Sequence, residues 1–162
     1  MKAISALFSG KLLMLYASCL PILLASCGSD DVMQVRQFHL RSIQVESMQR
    51  APMIRGEQMY RMRGEVSIEE RNKCLGQYYS VKWKHEGSRG ASRKILMDYR
   101  QAATGSKILS MSRELPADAN SGLVEFSVAG ESYRTRGRVL AWRIRLLSDK
   151  EVIEEKRSYL WR

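Results

Sequence analysis

Two histidines, His39 and His85, and the thiols of Cys27 and Cys74 are the side chains here best suited to nucleophilic or metal chemistry. A cysteine–histidine pair works when the imidazole draws the thiol proton away. Cys74 and His85 stand eleven residues apart, a spacing that fits no nucleophile signature. His39 falls in an alternating, strand-like stretch and His85 in a polar loop, and each reads as an ordinary satisfied side chain. Metal centres need clustered donors, and none of the usual cysteine or histidine spacings occurs. Met48, Met53, Met59 and Met62 offer thioethers that suit Cu(I), but methionine more often fills gaps in a core. Gly105-Ser106-Lys107 lacks the rest of a phosphate-binding loop, and a strand follows where a helix should. Gly87 and Gly90 form no dinucleotide fingerprint. Glu69-Glu70 and Glu154-Glu155 are adjacent pairs, and neighbours on a strand point to opposite faces, so neither makes an acid–base pair. The expectation is a protein with no catalytic residues, no metal and no cofactor.

Cys27 has a different setting. Lys2 and Lys11 are the only charges in residues 1–26, and residues 12–26 carry none. The apolar block Leu12-Leu13-Met14-Leu15-Tyr16 and Ile22-Leu23-Leu24 falls short of the ~20 residues a spanning helix needs. It has the order of a secretory signal, with Pro21 breaking the helix ahead of small residues. Leu24-Ala25-Ser26 directly before Cys27 resembles the lipobox of bacterial lipoproteins: an aliphatic residue, two small ones, then cysteine. Cys19 fits less well, because Tyr16 stands where the aliphatic residue belongs. The resemblance covers residues 1–27. It implies cleavage before Cys27 and acylation of Cys27, palmitate being one such chain. Each buried methylene contributes roughly 0.8 kcal/mol, and more than one chain is needed for stable anchoring, so the several that bacterial lipoproteins carry imply a lasting anchor. The implied address is the bacterial cell envelope. Gly28, where aspartate would favour the inner membrane, leans toward the outer membrane, facing the periplasm or the cell surface.

The expected organisation is a signal peptide over residues 1–26, the acylated cysteine and a short tether over 27–33, and one domain over 34–162. Removing the leader takes two lysines and no acid from a chain of net charge +10. The remaining excess of cations favours anionic partners. Outside the cytoplasm these are an anionic lipid or glycan surface and not nucleic acid. The expected partners are therefore the membrane through Cys27, an envelope protein, and such an anionic surface. Cys74 is the one thiol beyond Cys27, so no internal disulfide forms and burial is expected.

Past the tether the pattern is alternation. Phe38 and Leu40, then Ile43 and Val45, predict a first strand whose phase changes at Arg41-Ser42, the mark of a bulge. Met48 to Gly56 reads as loop. Tyr60, Met62, Val66 and Ile68 predict a second strand, and Glu69 to Leu75 one helical turn ended by Gly76. In Gln77–Lys84, Tyr79, Val81 and Trp83 share one face, and Lys82 and Lys84 the other. Ile95, Met97 and Tyr99 alternate with Asp98 and Arg100, and Ala103–Ser106 turns the chain into a strand over 107–113. Val124, Phe126 and Val128 face inward, and Gly130 to Gly137 reads as loop. Leu140, Trp142, Ile144 and Leu146 share a face, with Arg143 and Arg145 on the other. Ser148–Glu151 forms a hairpin into a last strand ending at Arg162, with Tyr159 and Trp161 on one side.

Seven or eight short strands joined by Gly/Asp/Ser turns predict an all-β fold, a single antiparallel β-sandwich. One-sided alternation means each sheet keeps one wet face. The order resembles an immunoglobulin-like or fibronectin-type-III sandwich, Trp83 taking a place like that superfamily's core tryptophan; a small β-barrel is the alternative. In such an order the strands of Trp83 and Trp142 are neighbours. Lys82, Lys84, Arg143 and Arg145 would then form one basic surface patch for phosphate-bearing lipid heads or acidic glycan.

Overall fold

The computed structural model describes residues 31–44, 51–86 and 91–162, so the leader, Cys27 and Gly28 lie outside the described residues. The compact unit runs from Asp31 to Arg162. Seven strands carry it: β1 (Met33–Leu40), β2 (Gly76–Lys84), β3 (Arg93–Gln101), β4 (Leu109–Glu114), β5 (Ser121–Ala129), β6 (Val139–Ser148) and β7 (Glu151–Arg157). They form two antiparallel sheets, one ordered β1-β2-β5 and the other β4-β3-β6-β7. Neither sheet closes into a barrel. The wiring is immunoglobulin-like, with one change from the constant-type layout: β4 hydrogen-bonds to β3 and not to β5.

The alternation of the sequence becomes the inter-sheet core. Tyr79, Val81 and Trp83 of β2 and Phe126 and Val128 of β5 face Ile95, Met97 and Tyr99 of β3 and Ile144 and Leu146 of β6. Met33 is wholly buried in this core, so the domain begins within the stretch expected to be tether. Arg93 closes one end of the core. Its guanidinium donates to the carbonyls of His85 and Ala117 and lies 5.8 Å from the centre of the Trp83 ring. The far end is more polar: Gln77 bonds both the N–H and the C=O of Val139 on the facing sheet, and Gln101 donates to Ser132 and Gly137. Along one side of the sandwich β1 and β7 run together, with Lys156 3.3 Å from Asp31. Along the other, a cleft of about 400 Å³ bordered by Arg113, Leu115 and Leu123 parts β4 from β5.

Several expectations are corrected. No strand forms over Tyr60 to Ile68. Helix α1 (Pro52–Arg61) and helix α2 (Ile68–Lys73) occupy this stretch, and α1 takes residues 52–56 of the expected loop. Pro52 sits in the first turn, where its missing N–H costs nothing. Gln58 and Met62, four apart, share the buried side, which is helical spacing. Ser67 and Glu70 form a reciprocal capping box that starts α2. β1 stops at Leu40 instead of continuing through a bulge; Ile43 follows outside the strand, and Val45 lies outside the described residues. Gly76 opens β2 and does not cap a helix. A Cβ on it would fall 2.6 Å from the Ala129 side chain, so the β2–β5 approach requires glycine. Gly130 to Gly137 is not loop: helix α3 (Gly130–Arg136) lies between two glycines at φ +61° and +76°.

In β6 the register slips between Arg100 and Gln101 of β3, which pair with Ala141 and Val139. Leu140 is the residue left over, and it turns outward, 41% exposed, instead of joining Trp142, Ile144 and Leu146. The last strand ends at Arg157. Trp161, past the strand, is buried at 7% exposure while Tyr159 stands out at 89%, so the two do not share a face.

Candidate functional site

Lys82 and Lys84 lie on the outer face of β2, the middle strand of the three-stranded sheet, while Arg143 and Arg145 lie on β6 in the other sheet. The wet faces of two packed sheets point in opposite directions, so the four cations do not form one patch. Arg143 and Arg145 are also engaged: both donate from Nη2 to Oδ2 of Asp98, at 2.9 and 2.7 Å. Ser110 donates to the other Asp98 oxygen at 2.7 Å. Burial pushes the Asp98 carboxyl up, but the Ser110 and Arg143 hydrogen bonds and the two guanidinium charges outweigh it and hold it below its ordinary value. Beside this cluster the segment after β7 folds back on the sheet. Trp161 sits 4.9 Å from the Arg100 guanidinium and 5.0 Å from that of Arg143, and Arg100 donates to the Arg162 carbonyl. The Nη groups of this face thus find partners within the domain, while the buried Nε atoms of Arg100, Arg143 and Arg145 find no hydrogen bond among the described residues.

The outer face of the β1-β2-β5 sheet is built differently. Here α1 borders a groove of about 710 Å³. Arg61 fixes the helix: its guanidinium lies 2.7 Å from Glu57 and 2.8 Å from Glu125 of β5, and 4.6 Å from the centre of the Tyr78 ring. Ser80 donates to the same Glu125 carboxylate, and the Arg61 bond is the main cause that lowers the Glu125 pKa. Gln58 joins α1 to the segment after β1, donating to the carbonyls of Ser42 and Gln44. With the helix held, Met53 stands 83% exposed on its side of the groove and Leu123 of β5 stands 65% exposed on the sheet side. Ile54 and Phe38 add apolar surface, and Arg36 and Lys82 add positive charge. Sequence reasoning missed this groove because it read α1 as loop and strand; Pro52 was the available signal.

Cys74 is half-buried and free, with Sγ 3.7 Å from the Glu70 carbonyl. Burial first, then the Glu65 charge, raises its pKa, the opposite of an activated thiol. His39 lies in β1, as expected, and meets Tyr133 of α3 at 2.6 Å. His85 follows β2, where its carbonyl receives Arg93 and its N–H donates to Asn120. Among the described residues no three His, Cys, Asp or Glu side chains gather in a group that could hold a metal ion, and no helix is long and apolar enough to cross a membrane. In comparison with known proteins, the chain matches no family model, no curated protein and no solved structure.

Proposed function

We propose that this chain is a non-enzymatic lipoprotein of the bacterial cell envelope, held by acylated Cys27, whose β-sandwich binds another envelope protein in the groove beside α1. The observation that carries this reading is the pair Met53 and Leu123, exposed from the helix side and the sheet side of one groove. Burying apolar surface contributes roughly 25 cal/mol per Å², and exposed apolar side chains gathered in a groove are a recurrent mark of recognition. Arg36 and Lys82 at its rim suit a segment whose apolar side chains are flanked by acids. The filled inter-sheet core supports a binding module over a carrier with an enclosed apolar cavity. The lipid anchor rests on Leu24-Ala25-Ser26-Cys27, and the outer-membrane address on Gly28. An anionic lipid or glycan partner has less support, because the four cations expected to serve it are divided between two sheets and Asp98 occupies two of them.

The test has two arms. A photo-crosslinking side chain at position 123 should capture a discrete partner in intact envelopes, and Met53→Asp should abolish the capture while the protein still accumulates. Capture unaffected by Met53→Asp, or no capture from position 123, contradicts the groove. Separately, cells fed labelled fatty acid should label the parent and not Cys27→Ser; an unlabelled parent with an uncut leader contradicts the anchor.

A further inference from the structure

The glutamine-rich end of the sandwich, where β1 finishes and β6 begins, holds a pocket of about 410 Å³. It adjoins the partner groove at Gln37 but involves neither Met53 nor Leu123, so it is independent of that reading. Arg41 and Arg138 both line it, and no Asp or Glu does. Among the described residues neither guanidinium makes an ion pair, in contrast to Arg61, Arg143 and Arg145, each held by a carboxylate. Leu140, the residue turned outward by the β6 register slip, and Leu160 supply an apolar wall.

His39 lines the same pocket and feels the charge of both cations. Arg41 donates from Nε to His39 Nδ1 at 3.1 Å, and an Nε–H can only donate, so Nδ1 is the bare nitrogen and the ring proton sits on Nε2. That proton goes to the Tyr133 hydroxyl at 2.6 Å, which leaves the phenol its own proton to give to a third group. Tyr133 approaches from α3, Arg41 from the end of β1 and Arg138 from the start of β6. Burial first, then the charges of Arg41 and Arg138, lower the His39 pKa. Two guanidinium groups and the imidazole that Tyr133 holds from behind thus meet at one pocket, and among the described residues that line it no negative charge balances them.

We propose that this pocket is a binding site for an oxyanion, carboxylate or phosphate, borne by a small molecule whose apolar part lies against Leu140 and Leu160. The anion sits with Arg41 and Arg138 and offsets the repulsion both exert on the imidazole. A second ring proton must go to Nδ1 and displace the Arg41 Nε–H, which the bound anion then accepts; binding therefore favours protonation of His39, and by linkage affinity rises as pH falls through the His39 range.

The chain has only two histidines, so their ring protons can be followed separately by NMR in the full chain in neutral detergent, with His39→Gln assigning the signals and His85 as the internal reference. One arm titrates inorganic phosphate, a second N-acetyl-leucine, and a third potassium chloride at matched ionic strength. The expected result is a saturable upward move of the His39 titration midpoint with phosphate or N-acetyl-leucine, and none with chloride or at His85. The tighter of the two identifies phosphate or carboxylate as the source. Arg138→Gln should weaken binding at least tenfold, and Arg41→Gln serves the same purpose should the first variant lose its fold by circular dichroism. No saturable shift with either anion, an equal shift with chloride, or undiminished binding in the folded arginine variants would overturn the site.

Discussion

Arg145 donates from Nη2 to Oδ2 of Asp98 at 2.7 Å, across the neighbouring strands β6 and β3. Asp98 is 4% exposed, and Arg143 binds the same oxygen. One carboxylate thus serves two cations on a sheet face, and removing it leaves Arg145 without its ion pair and Arg143 with only Glu155 at 4.0 Å. Asp98→Asn should cost about 2 kcal/mol by urea denaturation, less than a fully buried pair because both arginines keep some water contact. A loss below about 0.5 kcal/mol would show that water serves the arginines equally well.

The same carboxyl makes a pH prediction. Its folded pKa is depressed below the ordinary value of 3.8, so the unfolded chain takes up the proton first as pH falls. The stability Asp98 contributes is complete above that value and is lost as pH drops through the folded one. The parent should therefore show a steeper fall in melting temperature below pH 4 than Asp98→Asn. Parallel curves would mean Asp98 is not the group responsible.

Tyr79 is in the centre of the core, edge-on to Trp142 at 5.7 Å between ring centres, and its buried hydroxyl has no hydrogen-bond partner among the described residues. Burial also raises its pKa. An unmatched buried hydroxyl carries a desolvation cost with no return. Tyr79→Phe should leave the melting temperature unchanged or raise stability by up to about 1 kcal/mol. A loss of that size instead would reveal a partner for the hydroxyl.

Gly76 should resist change. Alanine there drives a methyl group against the β5 backbone at Val128 and Ala129, and overpacking of this kind costs about 1–3 kcal/mol. Chemical denaturation of Gly76→Ala measures it; a variant as stable as the parent would mean the strands can separate freely.

Trp161→Ala removes a ring held between two guanidinium groups and should cost about 3 kcal/mol. Trp161→Phe should recover part of that loss, and Tyr159→Ala, at an exposed site, should cost little. Equal effects at positions 159 and 161 would contradict the fold-back of the segment after β7.

Much of the sandwich was legible because its sheets have one wet face: Tyr79-Val81-Trp83 and Ile95-Met97-Tyr99 announce inward positions wherever their strands end up. Alternation does not say which strands are neighbours. That is why alternation alone groups Lys82 and Lys84 with Arg143 and Arg145, which the topology puts in the other sheet. Asp98 was read as an outward residue, and its role depends on the β3–β6 register, set by pairing 45 residues apart. Helix α2 is anticipated in part by the helical turn expected over Glu69–Leu75, whereas α1 and α3 escaped because each is short. Ser67 and Glu70 spelled a helix start, but Tyr60, Met62, Val66 and Ile68 spaced themselves like a strand. Missing α3 hid Tyr133, and with it the partner of His39.

The two long margins of the sandwich are unequal. One is laced by β1 against β7 and the Lys156–Asp31 link; the other is parted by the cleft between β4 and β5. The two leaves are thus hinged like a book, spine at β1 and β7. Loosening should begin at the fore-edge, with backbone deuterium entering β4 and β5 before it reaches the spine.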